Sequence, residues 1–298
     1  MSNIVNDNAK KLSLLTPNIF LLESGEMQIG DIDWDGIWRE KQQTHSFSSD
    51  PESQERRWDQ MASWYRFWSE RDEYPSKLLQ HVQMDREWSV LDIGCGIGTI
   101  SIAAAMRAKR VTALDISTNM LDILKAEAER RHLGNIRYLH QTWESCKIGV
   151  DIKPHDVVVA SRAIARTGDL RESLKKINNA ARQYAYVTAW GGESGGFSRE
   201  FLEGIGRSYT NSPDDVFVFN ILHQMDIHPN VEQLECHNPM LYTDHEHALQ
   251  SYQMLLNLTP EETDPAREFL KTHMIRRRDG RYETPETGIR WSLFWWRK

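Results

Sequence analysis

Short runs of apolar residues alternate along this chain with longer stretches in which apolar positions return every three or four residues, and the pattern is clearest from about residue 89 onward. SVLDI reads as a strand and TISIAAAMRA, which follows the turn after it, as a helix rich in alanine. RVTALD is the next strand. Ser117 then stands where it caps the helix TNMLDILKAEAERRH, whose Met120, Leu121 and Leu124 share one face. IRYL and DVVVAS are a third and a fourth strand, YAYVTAW a fifth, and VEQLECH and IRWSLFWW two later ones. Thr259-Pro260-Glu261-Glu262 has capping-box spacing with proline at the first helical position. Ser212-Pro213 opens a helix through DDVFVFNILHQM in the same way. Strands and helices in this order predict an α/β sheet.

Residues 1–75 differ in character. They hold five of the eleven tryptophans (Trp34, Trp38, Trp58, Trp64 and Trp68) in an otherwise polar, charged segment. They read as helices forming a cover or lid, with the main domain at 76–298. The N-terminal LSLLTPNIFLL follows Lys10 and Lys11, but Pro17 and Asn18 interrupt it and no small-residue cleavage site follows, so it is not read as a signal peptide. There is no internal repeat or low-complexity segment. At 298 residues, 40% apolar and 27% charged, the chain has room for one large core, with or without a small accessory unit. No apolar run approaches the ~20 residues that cross a bilayer, so no membrane partner is expected. Three scattered cysteines, Cys95, Cys146 and Cys236, suit reduced thiols in a cytoplasm. A net charge of −7 gives no general attraction to phosphate backbones, and nucleic acid is not expected as a partner. RRRDGR at 276–281 reads as a solvated turn.

The chemistry gathers at LDIGCGIGTISIA. Gly94, Gly96 and Gly98 follow an apolar run that includes Asp92, where a strand stops and a helix begins. Glycine there lets a backbone turn bring its N–H groups against a ligand at a helix N-terminus. The second strand ends in Asp115, 17 residues after Gly98, placed to accept hydrogen bonds from both hydroxyls of a ribose. A dinucleotide fold would show Gly-x-Gly-x-x-Gly, whereas this turn is Asp-x-Gly-x-Gly-x-Gly.

At these residues the chain resembles the class I S-adenosylmethionine-dependent methyltransferases, and the resemblance extends from about Trp58 to the C-terminus. It implies a Rossmann-like, seven-stranded, mostly parallel sheet with helices on both faces and a helical N-terminal extension, its last strand antiparallel between the fifth and the sixth. It implies S-adenosyl-L-methionine as cofactor and S-adenosyl-L-homocysteine as product. The turn of Asp92, Gly94, Cys95, Gly96, Gly98 and Thr99 would pass the methionine part. Asp115 would hold the ribose, with Ile116 packing on adenine and Ser117 and Met120 beside it. Thr142 stands where many relatives have an acid near the adenine amino group, and Trp143 would add an aromatic wall. WDQMASWY resembles the Trp-Asp-x-x-Ala-x-x-Tyr pattern of small-molecule members, which would bring Tyr65 to the methionyl end; equally, Trp58, Ala62 and Tyr65 are the packing face of an amphipathic helix.

The fourth strand leads into ASRAIART, so Ser161 and Arg162 are expected beside the ligand. Arg162 either clamps an acidic acceptor or pairs with a neighbouring acid such as Asp169. Trp64 and Trp190 are candidate acceptor walls, and WGGESGGFS at 190–198 reads as a loop over the acceptor or a long connection. His223, His228, His237, His245 and His247 show no compact zinc spacing, and no metal is expected. In-line methyl transfer needs alignment more than a catalytic motif, and no general base is assigned. The expected acceptor is a small molecule. The alternatives are a protein or RNA acceptor, or a non-catalytic S-adenosylmethionine-binding regulator.

Overall fold

A computed structural model describes residues 29–44, 50–69, 72–194, 197–209, 214–237, 239–285 and 288–298. The chain divides into two units, residues 1–33 and residues 34–298. The described part of the first unit contains one short 3-10 turn, Ile29–Asp31. Expectations for residues 1–28, the apolar N-terminal run among them, lie outside the described residues, as does the cap at Ser212-Pro213. The helix expected there begins at Asp215.

In the second unit, β1 (Ser89–Ile93), β2 (Arg110–Asp115), β3 (Ile136–His140), β4 (His155–Ala160), β5 (Ala181–Ser194), β6 (Asn230–His237) and β10 (Gly288–Arg297) form one sheet. Its order is β3-β2-β1-β4-β5-β10-β6, with β10 antiparallel to both of its neighbours. The seven-stranded, mostly parallel sheet is as expected. All five residues of β1 are buried, because helices cover both faces of the sheet. One face carries α1 (Trp34–Thr44), α6 (Leu170–Ala180) and α8 (Asp215–Gln224). The other carries α3 (Tyr74–His81) and α4 (Thr99–Ala105), with α5 (Thr118–Arg130) against β2 and β3.

The order reverses between β1 and β4, and there the strand ends open a crevice. Helix α2 (Pro51–Trp68) precedes the sheet in the chain. A separate apolar cluster centred on Phe201, Tyr242, Leu249 and Leu270 holds together α7 (Phe197–Gly204), α9 (His245–Leu256), α10 (Pro260–His273) and three two-residue strands, β7 (Leu241–Tyr242), β8 (Ile275–Arg276) and β9 (Tyr282–Glu283). The capping box at Thr259 and Glu262 is formed. Among the described residues no helix is long and apolar enough to cross a membrane.

One element departs from expectation. The glycine-rich stretch after Trp190 is not a loop at its start, for β5 runs on to Ser194 and pairs with β10 as far as Gly288. The register slips between Arg290 and Trp291, which leaves Gly191 as the extra residue of a bulge. A Cβ at Gly191 would stand 3.0 Å from Ser292 Oγ and 3.2 Å from the Arg290 carbonyl oxygen, so glycine is what lets the strand continue.

Candidate functional site

The crevice is a cavity of about 390 Å³, within the range of small-molecule sites. Its floor is the glycine turn. Gly94 and Gly96 have φ of +63° and +53°, and a Cβ at Gly94 would lie 2.7 Å from Ala163 Cβ, so the turn and the loop after β4 touch directly. Nothing lies within 4 Å of a Cβ at Gly96, whose N–H donates to Asp115 Oδ2 at 2.8 Å. The other Asp115 oxygen accepts from the Ser117 N–H at 2.9 Å. Burial raises the Asp115 carboxyl, opposed by those two backbone donors. Asp92 accepts from Ser101 Oγ at 2.6 Å, and burial first, then the nearby Asp115, push it up to about 7. Burial also lifts the Cys95 thiol.

Of the residues singled out from the sequence, Asp92, Gly94, Cys95, Gly96, Thr99, Asp115, Ile116, Met120, Thr142, Trp143, Ser161, Arg162 and Tyr65 line this one cavity. Gly98 and Ser117 stand behind it. Gly98 caps α4 with φ +88°, and a Cβ there would strike Leu124 Cδ1 at 2.1 Å, so this glycine serves helix packing. Ser117 Oγ caps α5 by accepting from Met120 N and donates to Asp59 Oδ1 at 2.5 Å. Trp64 and Trp190 do not reach the lining. Trp64 rests on His247, with ring centroids 4.5 Å apart, and Trp190 backs Trp291 edge-on at 5.6 Å. Trp291 on β10 is the tryptophan from the far end of the chain that reaches the cavity.

Helix α2 roofs the site with Gln54, Trp58 and Tyr65. Its Asp59 Oδ1 also accepts from the Asn119 N–H at 3.0 Å, and Glu55 meets His140 Nε2 at 2.9 Å. These contacts fasten the roof to the start of α5 and the end of β3. At the β3 end, Thr142 is already engaged with Ser145 through both hydroxyl and backbone. The Trp143 indole N–H points to the Ser173 carbonyl at 3.4 Å, leaving its ring as an apolar wall.

Beyond β4, Tyr74 OH bridges Ser161 Oγ at 2.8 Å and Thr188 Oγ1 at 2.6 Å; burial pushes this phenol up to about 12, so it stays neutral. Arg162 pairs with Asp72 at 2.9 Å and not with Asp169, which caps α6 by accepting from the Glu172 N–H. The loop that follows is clasped by α1, where Trp38 Nε1 donates to the Thr167 carbonyl at 2.8 Å and Gln42 Nε2 to that of Ala165 at 3.0 Å. Arg166 of this loop also lines the cavity, and burial lowers its pKa. Reading the sequence missed Arg166, Gln54 and Trp291, whereas the WDQMASWY pattern and the expected N-terminal cover pointed to the roof through Trp58 and Tyr65. Among the described residues no three His, Cys, Asp or Glu side chains converge as a metal site.

Comparison with known proteins bears on the fold that carries this site. A family model described as a methyltransferase domain matches residues 90–183. An uncharacterized protein of Haemophilus influenzae is 28% identical over 229 residues, 75% of this chain and 81% of that one. The ubiquinone biosynthesis O-methyltransferase of Coxiella burnetii is 33% identical over 86 residues, 29% of this chain and 36% of that protein. Among solved structures, a Bacillus halodurans protein inferred to be a methyltransferase superposes with a TM-score of 0.50 at 14% identity, covering 74% of this chain and 97% of the other.

Proposed function

We propose that this chain, an S-adenosylmethionine-dependent methyltransferase with the class I fold, transfers its methyl group to a small molecule bound beside the end of β4. The observation that supports this acceptor class is the roof. With Gln54, Trp58 and Tyr65 of α2 lying across a cavity of about 390 Å³, a polymer would have to displace the helix to reach the turn. On this reading α2 is the covering helix of the expected N-terminal cover, residues 1–75, and residues 76–298 are the methyltransferase domain. The named activity of the Coxiella relative, O-methylation in ubiquinone biosynthesis, supports an acceptor of modest size.

The residues fit the cofactor. Asp115 presents a buried carboxylate at the wall for the ribose hydroxyls, while Gly96 leaves open space where a side chain would stand. Ile116, Met120 and Trp143 line the part of the cavity where adenine would pack, and Thr142 would offer it a weaker polar contact. Cys95 and Thr99 flank the path of the tail, and Tyr65 and Ser161 stand at its methionyl end. When bound, S-adenosylmethionine supplies a methyl group on a sulfonium and leaves as a neutral thioether. The chain aligns the two reactants and excludes water, a contribution of up to ~7–11 kcal/mol in favourable systems.

The test is incubation with methyl-labelled S-adenosylmethionine and a size-fractionated cell extract. Label in the small-molecule fraction is expected. Label in protein or RNA would overturn the acceptor class, and binding of S-adenosylhomocysteine with no transfer to any fraction would favour a regulatory binder.

A further inference from the structure

We propose that Arg162 holds the amino-acid carboxylate of the cofactor, rather than part of the acceptor. The proposal rests on the ribose lying at Asp115. Its first support is how firmly the arginine is installed. Arg162 adopts φ +57°, a region unfavourable for a residue with a side chain, and its N–H is tied to Thr188 Oγ1 at 2.9 Å. The guanidinium lies 4.1 Å over the Tyr74 ring, with Trp291 at 5.7 Å and Tyr65 at 6.0 Å, and the side chain is 17% exposed.

The second support is its unspent hydrogen-bonding capacity. A guanidinium carries five N–H donors. Asp72 meets Nη1 at 2.9 Å, and the phenols of Tyr65 and Tyr74 join it around the guanidinium. Asp72 is itself held in place, since its Oδ1 accepts from the Tyr74 N–H at 3.0 Å. A buried, permanent cation with donors to spare on a cavity wall is built for a planar anion.

The third support is position. In the order β3-β2-β1-β4, the ends of β2 and β4 are two strand spacings apart, about 10 Å. The sulfur and three-carbon tail between ribose and carboxylate, added to the reach of an arginine side chain, spans that gap. Ala163 fills the space beside Gly94, but nothing lies within 4 Å of a Cβ at Gly96, so the turn leaves room for the tail there. Charge gives the tail its direction: Asp115 lines the end it leaves and Arg162 the end it reaches.

The experiment is calorimetric titration of the full chain with S-adenosylhomocysteine and with 5′-methylthioadenosine, which keeps the adenosine and sulfur but lacks the amino acid. The main variant is Arg162→Gln with Asp72→Asn, which avoids stranding a buried carboxylate. Arg162→Lys is the second, retaining charge without the fork, and thermal melts verify folding. Affinity for S-adenosylhomocysteine should fall about tenfold to a hundredfold in the first variant and less in the second, while 5′-methylthioadenosine stays near its wild-type affinity. Equal weakening of both ligands would mean a structural role and overturn the proposal. Unchanged binding of S-adenosylhomocysteine with a raised KM for the labelled acceptor would give Arg162 to the acceptor instead. A loss seen only with Arg166→Gln would move the carboxylate site. Failure of the wild-type chain to bind either compound would remove the cofactor placement itself.

Discussion

Asp92 carries a carboxyl that burial and a neighbouring acid hold protonated well above its usual range. Its ordinary value is 3.8, and in the folded chain it rises to about 7. Between those values the folded protein keeps a proton that the unfolded chain has released. The stability owed to Asp92 is therefore full below about pH 4 and drains away as pH climbs to 7. Asp92→Asn removes the ionisation and keeps an acceptor for Ser101 Oγ. It should raise the thermal midpoint at pH 8, by at most about 4 kcal/mol of stability, and raise it little at pH 4.5. Melting curves of both proteins across that range check this; an equal gain at every pH would assign the effect to packing.

At the scale of elements, the three glycines of one turn divide their work. Gly98 belongs to the contact between α4 and α5, since its missing side chain is the space that Leu124 fills. Gly98→Ala should cost about 2–4 kcal/mol from positive φ and overpacking together. Leu124→Ala in the same chain should couple favourably to it by ~1–2 kcal/mol, read from a double-mutant cycle in urea. The strands and most helices were legible because their apolar positions alternate or recur at helical spacing, and Asp115 was legible because a strand ends on it. The partner of Arg162 was not, because Asp72 lies 90 residues upstream and only the packing of α3 brings it near. Nor was Trp291, whose place depends on which strands β10 joins. The extension of β5 was hidden by glycines that read as a loop until their pairing partner is known.

At the scale of the molecule, α2 is a tie between the sheet and the satellite core. Arg57 donates to the carbonyls of Met254 and Leu255 at the end of α9, at 3.2 and 2.8 Å, while Asp59 binds the start of α5. Closing the site and docking the satellite are thus one set of contacts. Asp59→Ala should cost about 1–2 kcal/mol of stability. It should also speed release of S-adenosylhomocysteine severalfold in stopped-flow displacement; an unchanged release rate would show that ligands leave without moving the roof.

The position of β10 has a consequence for synthesis. It follows every other strand of the sheet in the chain, yet it lies between two of them. Until residues 288–297 have emerged, β5 and β6 have no hydrogen-bonded connection, and the cavity lacks Trp291 from its wall. A nascent chain carrying the whole glycine turn therefore still holds β6 apart from the other five strands, with a long unpaired edge on β5 that invites the wrong partner.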